Sequence, residues 1–264
     1  MEKINQNGLT YYRFAFWPQL SHGVFTRKGG VSQPPWDSLN VGGTVGDNLD
    51  AVRQNHELMY ETLKVDQRRA CTVWQIHSAD TVIVNGPVQG RRWVALADGM
   101  VTDRPDTPLV MRFADCTPIF LHDPVQGVIG MAHGGWRGTV DGAGVSVVKT
   151  MMRAYGSKPT HIQAGIGPSI GPNRYQVGEE VVEAVLGHFG TLNGGLAEGD
   201  LITRDPADGS AYFNLWAASK LDLLRAGVEQ IEVAGICTAS NTDEFFSHRA
   251  EKGRTGRFGT VITL

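Results

Sequence analysis

Short apolar runs alternate along the chain with longer stretches whose apolar residues repeat at helical spacing. The runs at Val24–Arg27, Ala70–Gln75, Thr81–Val84, Leu109–Phe113, Ile119–Leu121, Val128–Ala132, Ile162–Ile166, Ile231–Ile236 and Thr260–Leu264 predict strands. A helix is expected over Leu49–Leu63, where Val52, Met59 and Leu63 fall near one face and Asp47 could cap the start. A second is expected over Val140–Tyr155, with Val145, Val148, Met151 and Met152 as its buried stripe. Gly178–Phe189 and Asn214–Ala226 complete the helices, with Asn214 as an N-cap. The order lacks strict βαβ alternation, which favours a layered α+β fold over a doubly wound parallel sheet. No repeat and no Pro/Ser-rich linker divides the chain. The Gly- and Asp-rich stretch 190–210 reads as a long surface loop, so residues 1–264 are read as one domain.

With 41% hydrophobic and 19% charged residues, the 264-residue chain can bury a sizeable core. A formal net charge of −3 gives no global basic field for nucleic acid. Three cysteines, Cys71, Cys116 and Cys237, are odd in number and widely spaced, which implies no disulfide framework and suits a reducing compartment. The polar N-terminus has no apolar signal core, and no run of about 18 apolar residues exists. The expected location is cytoplasmic, away from membranes.

Candidate chemistry gathers where apolar runs end. Val73 to Ile76 leads to His77, Met111 to Asp115 leads to Cys116, and Ile129 to Ala132 leads to His133. Two imidazoles and a thiolate suit Zn²⁺, whose catalytic sites pair three protein ligands with a water of lowered pKa. Spacing alone leaves a plainer reading open, with hydrogen-bonded structural histidines and a buried thiol. Gly134-Gly135-Trp136-Arg137, ahead of the second helix, resembles an anion site with Arg137 beside it. Asp98, in a Gly turn, and Asp115 are acid–base candidates. If residues 115 and 116 are extended, Asp115 points away from Cys116 and orients backbone instead. Trp136 or Phe246 could stack on a base, while Trp74 and Trp216 read as packing. Arg249, Arg254 and Arg257 form a basic cluster that reads as a solvated loop, with room for one arginine near a pocket.

The motifs together resemble the laccase-domain family of purine nucleoside phosphorylases, once described as multicopper polyphenol oxidases and in some bacteria as a peptidoglycan editing factor. Thr26 to Ser32 and Ser38 to Gly42 are similar to its N-terminal signature, and Val73 to His77 to its Q-x-H segment. Ala97-Asp98-Gly99, Ala114-Asp115-Cys116 and Ala132 to Gly138 resemble its acidic and A-H-A-G-W-R-G motifs. Gly165 to Pro168, Tyr175 to Gly178 and Phe246 to Arg257 resemble its later signatures. Departures are Gly134 for the commoner Ala, Ser169 for Cys or Ala, and Asn173-Arg174 where many members carry Cys.

The resemblance implies zinc, with copper as the alternative metal, on His77, Cys116 and His133. It implies phosphorolysis of adenosine, inosine and methylthioadenosine, adenosine deamination, and a four-layer α/β/β/α fold with mixed sheets, related to a toxin-deamidase-like cysteine hydrolase fold. Small-molecule nucleoside and phosphate are the expected partners. Cys116, His77, His133, Asp98 and Arg137 are the expected catalytic residues, and Arg27, Asn40, Trp136, Phe246 and Arg249 the expected substrate contacts. Two other enzyme readings stand beside this one: a Cys- or zinc-dependent hydrolase editing peptidoglycan precursors, and a copper-dependent polyphenol oxidase. A non-catalytic nucleoside-binding module is the last.

Overall fold

The computed structural model describes residues 1–90, 92–190 and 201–264. Strands β1 (Glu2–Gln6), β2 (Leu9–Arg13) and β3 (Ser21–Phe25) form an antiparallel meander. The C-terminal strand β15 (Phe258–Thr263) pairs antiparallel with both β3 and β7 (Leu109–Phe113). Strand β4 (Cys71–Thr72) lies parallel to β7 and closes a six-stranded sheet ordered β1-β2-β3-β15-β7-β4.

A second six-stranded sheet contains β14 (Gln230–Val233), β10 (Gln163–Ile166), β8 (Thr117–Asp123), β9 (Val128–Gly134), β6 (Gly99–Thr102) and β5 (Thr81–Ile83), in that order. Its outer pairs β14/β10 and β6/β5 are parallel and its inner pairs antiparallel, so both large sheets are mixed. A small antiparallel sheet joins β11 (Gln176–Val177), β13 (Ala211–Phe213) and β12 (Ile202–Arg204). Residues 191–200 of the expected 190–210 loop lie outside the described residues, and β12 occupies part of the remainder.

Alternation along each strand decides what the sheets face. Val24, Met111, Phe113, Phe258 and Ile262 of the first sheet pack in one cluster with Met100, Phe120, Ile129 and Met131 of the second. Each such buried side chain contributes roughly 2 kcal/mol relative to exposure. The opposite parity of the first sheet, Leu9, Tyr11, Phe25, Val110 and Val261, packs with Met59 of α1 (Leu49–Leu63). The other face of the second sheet, including Val101, Ile119 and Leu121, packs with Val147, Val148 and Met151 of α3 (Ala143–Tyr155) and Leu223 of α5 (Leu215–Arg225). Helix α4 (Glu179–Phe189) packs with the small sheet.

Three expectations change in detail. Asn48 caps α1, accepting from Asp50 N at 2.8 Å and Ala51 N at 3.2 Å, because the Asp47 carboxylate is occupied by Ser32 and Asn40. The helix foreseen over 140–155 starts later, as α3, and a separate short helix α2 (Trp136–Val140) precedes it across a break at Gly142 with φ 80°. The break re-phases α3, so that Ala143 and Gly144 join the buried face, Val145 is half-buried and Met152 is 41% exposed. The run Ala70–Gln75 stays a strand only over β4. Beyond it the Gln75 side chain takes the place of a ladder partner, donating to Arg112 O at 2.8 Å and accepting from Arg112 N at 3.1 Å. No helix among the described residues is long and apolar enough to cross a membrane.

Candidate metal centre

The chain passes from the first large sheet to the second at two nearby points. One crossing runs from β4 to β5 and carries His77; the other runs from β7 to β8 and carries Cys116. His133 lies within β9, paired with Pro118 of β8. The expectation that all three residues end strands is corrected: His77 stands in a loop, and Cys116 follows a turn. Both crossings use left-handed backbone at non-glycine residues, with φ 63° at His77 and 81° at Asp115. Such conformations cost about 1–3 kcal/mol each and persist where the surroundings hold them. The extended backbone expected at Asp115 is likewise absent. Its carboxylate nevertheless orients backbone, accepting from Arg249 N at 2.7 Å and also from Thr238 Oγ1 at 2.7 Å.

The ligating atoms of His77, Cys116 and His133 all lie within 4.8 Å of one another. Cys116 Sγ is 4.0 Å from His77 Nε2, and the two imidazole centroids are 4.9 Å apart. Asp98 positions two of the three. Its Oδ1 is 2.7 Å from His133 Nδ1, while Oδ2 accepts from Ile76 N at 3.0 Å and Ser78 N at 2.7 Å, on either side of His77. A carboxylate behind a histidine fixes the ring and leaves Nε2 for a metal. Asp98, expected as an acid–base candidate, is wholly buried behind His133.

Burial alone would raise the Asp98 carboxyl, but the bonds from His133, Ser78 and Ile76 outweigh it and hold the group below the usual carboxylate range. Burial also pushes the Cys116 thiol up; His133 and His77 overcome it and bring the thiol down to about 6. His133 rises to about 9, burial opposing and Cys116 and Asp98 prevailing. Two imidazoles around a readily ionised thiol fit a borderline-soft divalent metal. In metal-free protein, alkylation of Cys116 by iodoacetamide should accelerate as pH rises through about 6 and level off above it, since the thiolate is the nucleophile. A rate still climbing through pH 8 to 9 would show an ordinary thiol. Cys71, which burial pushes up to about 11, should not react in that range.

The backbone must come close to the cluster at Gly135. A Cβ there would lie 3.0 Å from His77 Cδ2 and 3.2 Å from Cys116 Sγ. Gly135→Ala should therefore leave the fold intact and weaken metal binding about tenfold through crowding worth roughly 1–2 kcal/mol. A metal-competition titration indistinguishable from wild type would contradict this.

A cavity of about 490 Å³ opens over the cluster, and Arg112, Arg137, Arg249 and Arg257 share its wall with Trp136. Arg137 stacks on the Trp136 ring at 4.3 Å. Arg249 lies 5.2 Å from the Tyr175 ring centroid and donates to Gln176 O at 2.6 Å. Three of the residues expected as substrate contacts stand outside the cavity wall. Phe246 and Asn40 are fully buried, and Arg27 is 8% exposed; none lines the cavity. Arg27 donates to Asp37 O, Thr242 O and Glu251 Oε1 and covers the Phe246 ring at 4.4 Å. Asn40 Oδ1 accepts from Gly42 N and Arg257 N, both at 2.8 Å, and so supports the wall from behind.

Arg112, Tyr175 and His248 line the cavity without having been singled out. Arg112 had a signal, as the one charged position inside the apolar run Leu109–Phe113. The departure at Ser169 is structural: its Oγ accepts from Thr117 Oγ1 at 3.0 Å and Trp216 Nε1 at 2.7 Å.

The family model described as multi-copper polyphenol oxidoreductase laccase matches residues 21–264. The chain belongs to this laccase family. Relatives within reach of it carry another name. Purine nucleoside phosphorylase YlmD of Bacillus subtilis is 34% identical, across 92% of this chain and 87% of that protein. Purine nucleoside phosphorylase YfiH of Escherichia coli is 32% identical, across 94% of this chain and 96% of that protein. The crystal structure of YlmD from Geobacillus stearothermophilus superposes with a TM-score of 0.90 at 33% identity, covering 98% of this chain and 97% of that one. The laccase description speaks of several coppers. Among the described residues, one cluster of three or more His, Cys, Asp or Glu side chains could hold a metal ion.

Proposed function

We propose that this laccase-family chain is a zinc-dependent purine nucleoside phosphorylase acting on adenosine, inosine and methylthioadenosine, with adenosine deamination at the same pocket. The observation that carries the reading is the His77–Cys116–His133 cluster at a cavity whose wall is rich in arginine, in a chain similar to YlmD and YfiH. The order of the buried clusters, α1 against one sheet, sheet against sheet, then α3 and α5, supports a four-layer α/β/β/α arrangement.

Zinc held by His77, Cys116 and His133 would supply a Lewis acid there. The chain's own groups do the rest. Asp98 holds His133 in one tautomer and fixes the backbone around His77. Phosphorolysis joins a phosphate oxygen to C1′ and releases the purine, which takes a proton. The arginines of the wall neutralise the phosphate. His248 lines the cavity outside the cluster and is placed to hold the proton for the leaving base. Trp136 offers a ring to the purine.

One observation favours a second reading. Asp98, His133 and Cys116 stand in the order carboxylate, imidazole, thiol, which is the arrangement of an activated cysteine nucleophile. A thiol hydrolase acting on peptidoglycan precursors would use it.

Incubation of purified protein with adenosine and phosphate, followed by separation of products, tests the proposal. Adenine and ribose 1-phosphate are expected, with inosine from deamination, and a chelator should abolish both. Unchanged adenosine with zinc bound would reject the reading. Turnover that survives chelation would transfer the chemistry to the thiol.

A further inference from the structure

We propose that Arg112 and Arg257 form an oxyanion subsite in this cavity, and that its ligand is inorganic phosphate. The phosphate assignment rests on the phosphorolysis reading above; the subsite itself rests on the two side chains.

Met111 and Phe113 face the core between the sheets, so Arg112 points to the opposite side of β7, toward α1. The groups that meet it there bring no negative charge. Burial pushes the Tyr60 phenol up to about 12, and burial together with Arg112 holds His56 down to about 4. The Arg112 Nη2 donates to Val73 O at 2.9 Å. Arg257 is fixed from its backbone by Asn40, and its Nη1 donates to Gly256 O at 2.8 Å and Thr255 O at 3.3 Å. Its stem fills the space left by Gly42, where a Cβ would lie 2.7 Å from Arg257 Cγ.

Both guanidiniums are half-buried, both line the cavity, and the partners of each are backbone carbonyls rather than carboxylates. Burial lowers both pKa values, and Arg257 adds to the lowering at Arg112, so the two charges feel each other. Two desolvated like charges whose hydrogen-bond partners are all neutral carbonyls repel each other, and a dianion with several acceptor oxygens offsets that cost. Cys116 and Asp115 act on Arg257 in the opposite sense, which places that end of the pair within electrostatic reach of the metal centre. The other arginines of the wall are already engaged, Arg137 on the Trp136 ring and Arg249 with Gln176 O and the Tyr175 ring.

The test uses the full chain with its metal and the variants Arg257→Gln, Arg257→Lys and Arg112→Lys. In inosine phosphorolysis, Arg257→Gln should raise the KM for phosphate about tenfold or more and leave the KM for inosine within about twofold, with Arg257→Lys recovering part of the loss. Arg112→Lys keeps the charge in a less disruptive side chain and should raise the phosphate KM severalfold. An unchanged phosphate KM in both Arg257→Gln and Arg112→Lys would overturn the proposal. Calorimetric titration with sodium phosphate reads the subsite independently of turnover. Binding in wild type that is lost in Arg257→Gln supports it, and binding retained overturns it. If wild type binds phosphate but does not cleave inosine, the phosphorolysis reading fails and the subsite stands. Adenosine 5′-monophosphate binding tighter than phosphate at these arginines would overturn free phosphate as the ligand and assign a phosphate ester.

Discussion

Cys116→Ala protein should purify with little bound metal and phosphorolyse nucleosides about 1000-fold more slowly than wild type, a barrier increase of roughly 4 kcal/mol. The substitution removes the one thiolate from a set of three ligands whose atoms lie within 4.8 Å, leaving two imidazoles to hold the ion. Cys116 is half-buried and is not one of the large core side chains, so the fold should survive with a melting temperature of the chelated protein near that of chelated wild type. Elemental analysis beside product separation checks both halves. A variant that keeps both its metal and its turnover would remove Cys116 from the centre. A wild type that works equally well after chelation, with turnover lost only in Cys116→Ala, would identify a nucleophile instead of a ligand.

Asp98→Asn should be nearly as damaging, through positioning and not through contact with substrate. The carboxylate serves donors on both oxygens, His133 on one and Ile76, Ser78 N and Ser78 Oγ on the other. An amide offers one oxygen and turns an N–H₂ toward the remaining donors. Loss of a buried charged acceptor in this network should cost about 3 kcal/mol of stability, and removal of a partner behind a ligand histidine lowers metal affinity 10–100-fold. Urea unfolding of chelated protein and metal competition read the two effects separately. The sign with pH follows from the depressed carboxyl. Its stabilisation is present above its ordinary value near 3.8 and is lost as pH falls through the lower folded value, so wild type should lose stability there and Asp98→Asn should not. Undiminished metal affinity in the variant would contradict the positioning role.

Much of this was legible in the sequence because it depends on local period. Helix α1, strand β7 and the cap at Asn214 follow from spacing and side-chain chemistry within a few residues. The three residues of the candidate centre stand out by residue type and by the motifs around them, but their approach does not, since it depends on two crossings between sheets. Asp98 stands out by residue type, but its place behind His133 does not. Its partners lie 20 and 35 residues away, and nothing local distinguishes a turn aspartate from a buried acceptor. Arg27, Asn40 and Phe246 show the converse: a signature next to a pocket includes the residues that brace its wall. Arg257 stands out in the C-terminal basic cluster and Arg112 inside an apolar run, but only the folded chain brings both to one cavity wall with backbone carbonyls as their hydrogen-bond partners.

His77 and Cys116 belong to the two places where the chain leaves the first large sheet for the second, and His133 belongs to the second sheet alone. An ion gripped by all three is therefore a rivet through the seam of the molecule. It cannot be seated until both sheets have formed and met, so the metal content of a preparation is a certificate of correct assembly. By mass action the ion returns the favour, adding about 2.7 kcal/mol against unfolding when free metal stands at roughly 100 times its dissociation constant. A cell short of the metal would then lose the protein itself, through unfolding and proteolysis, and not merely its activity.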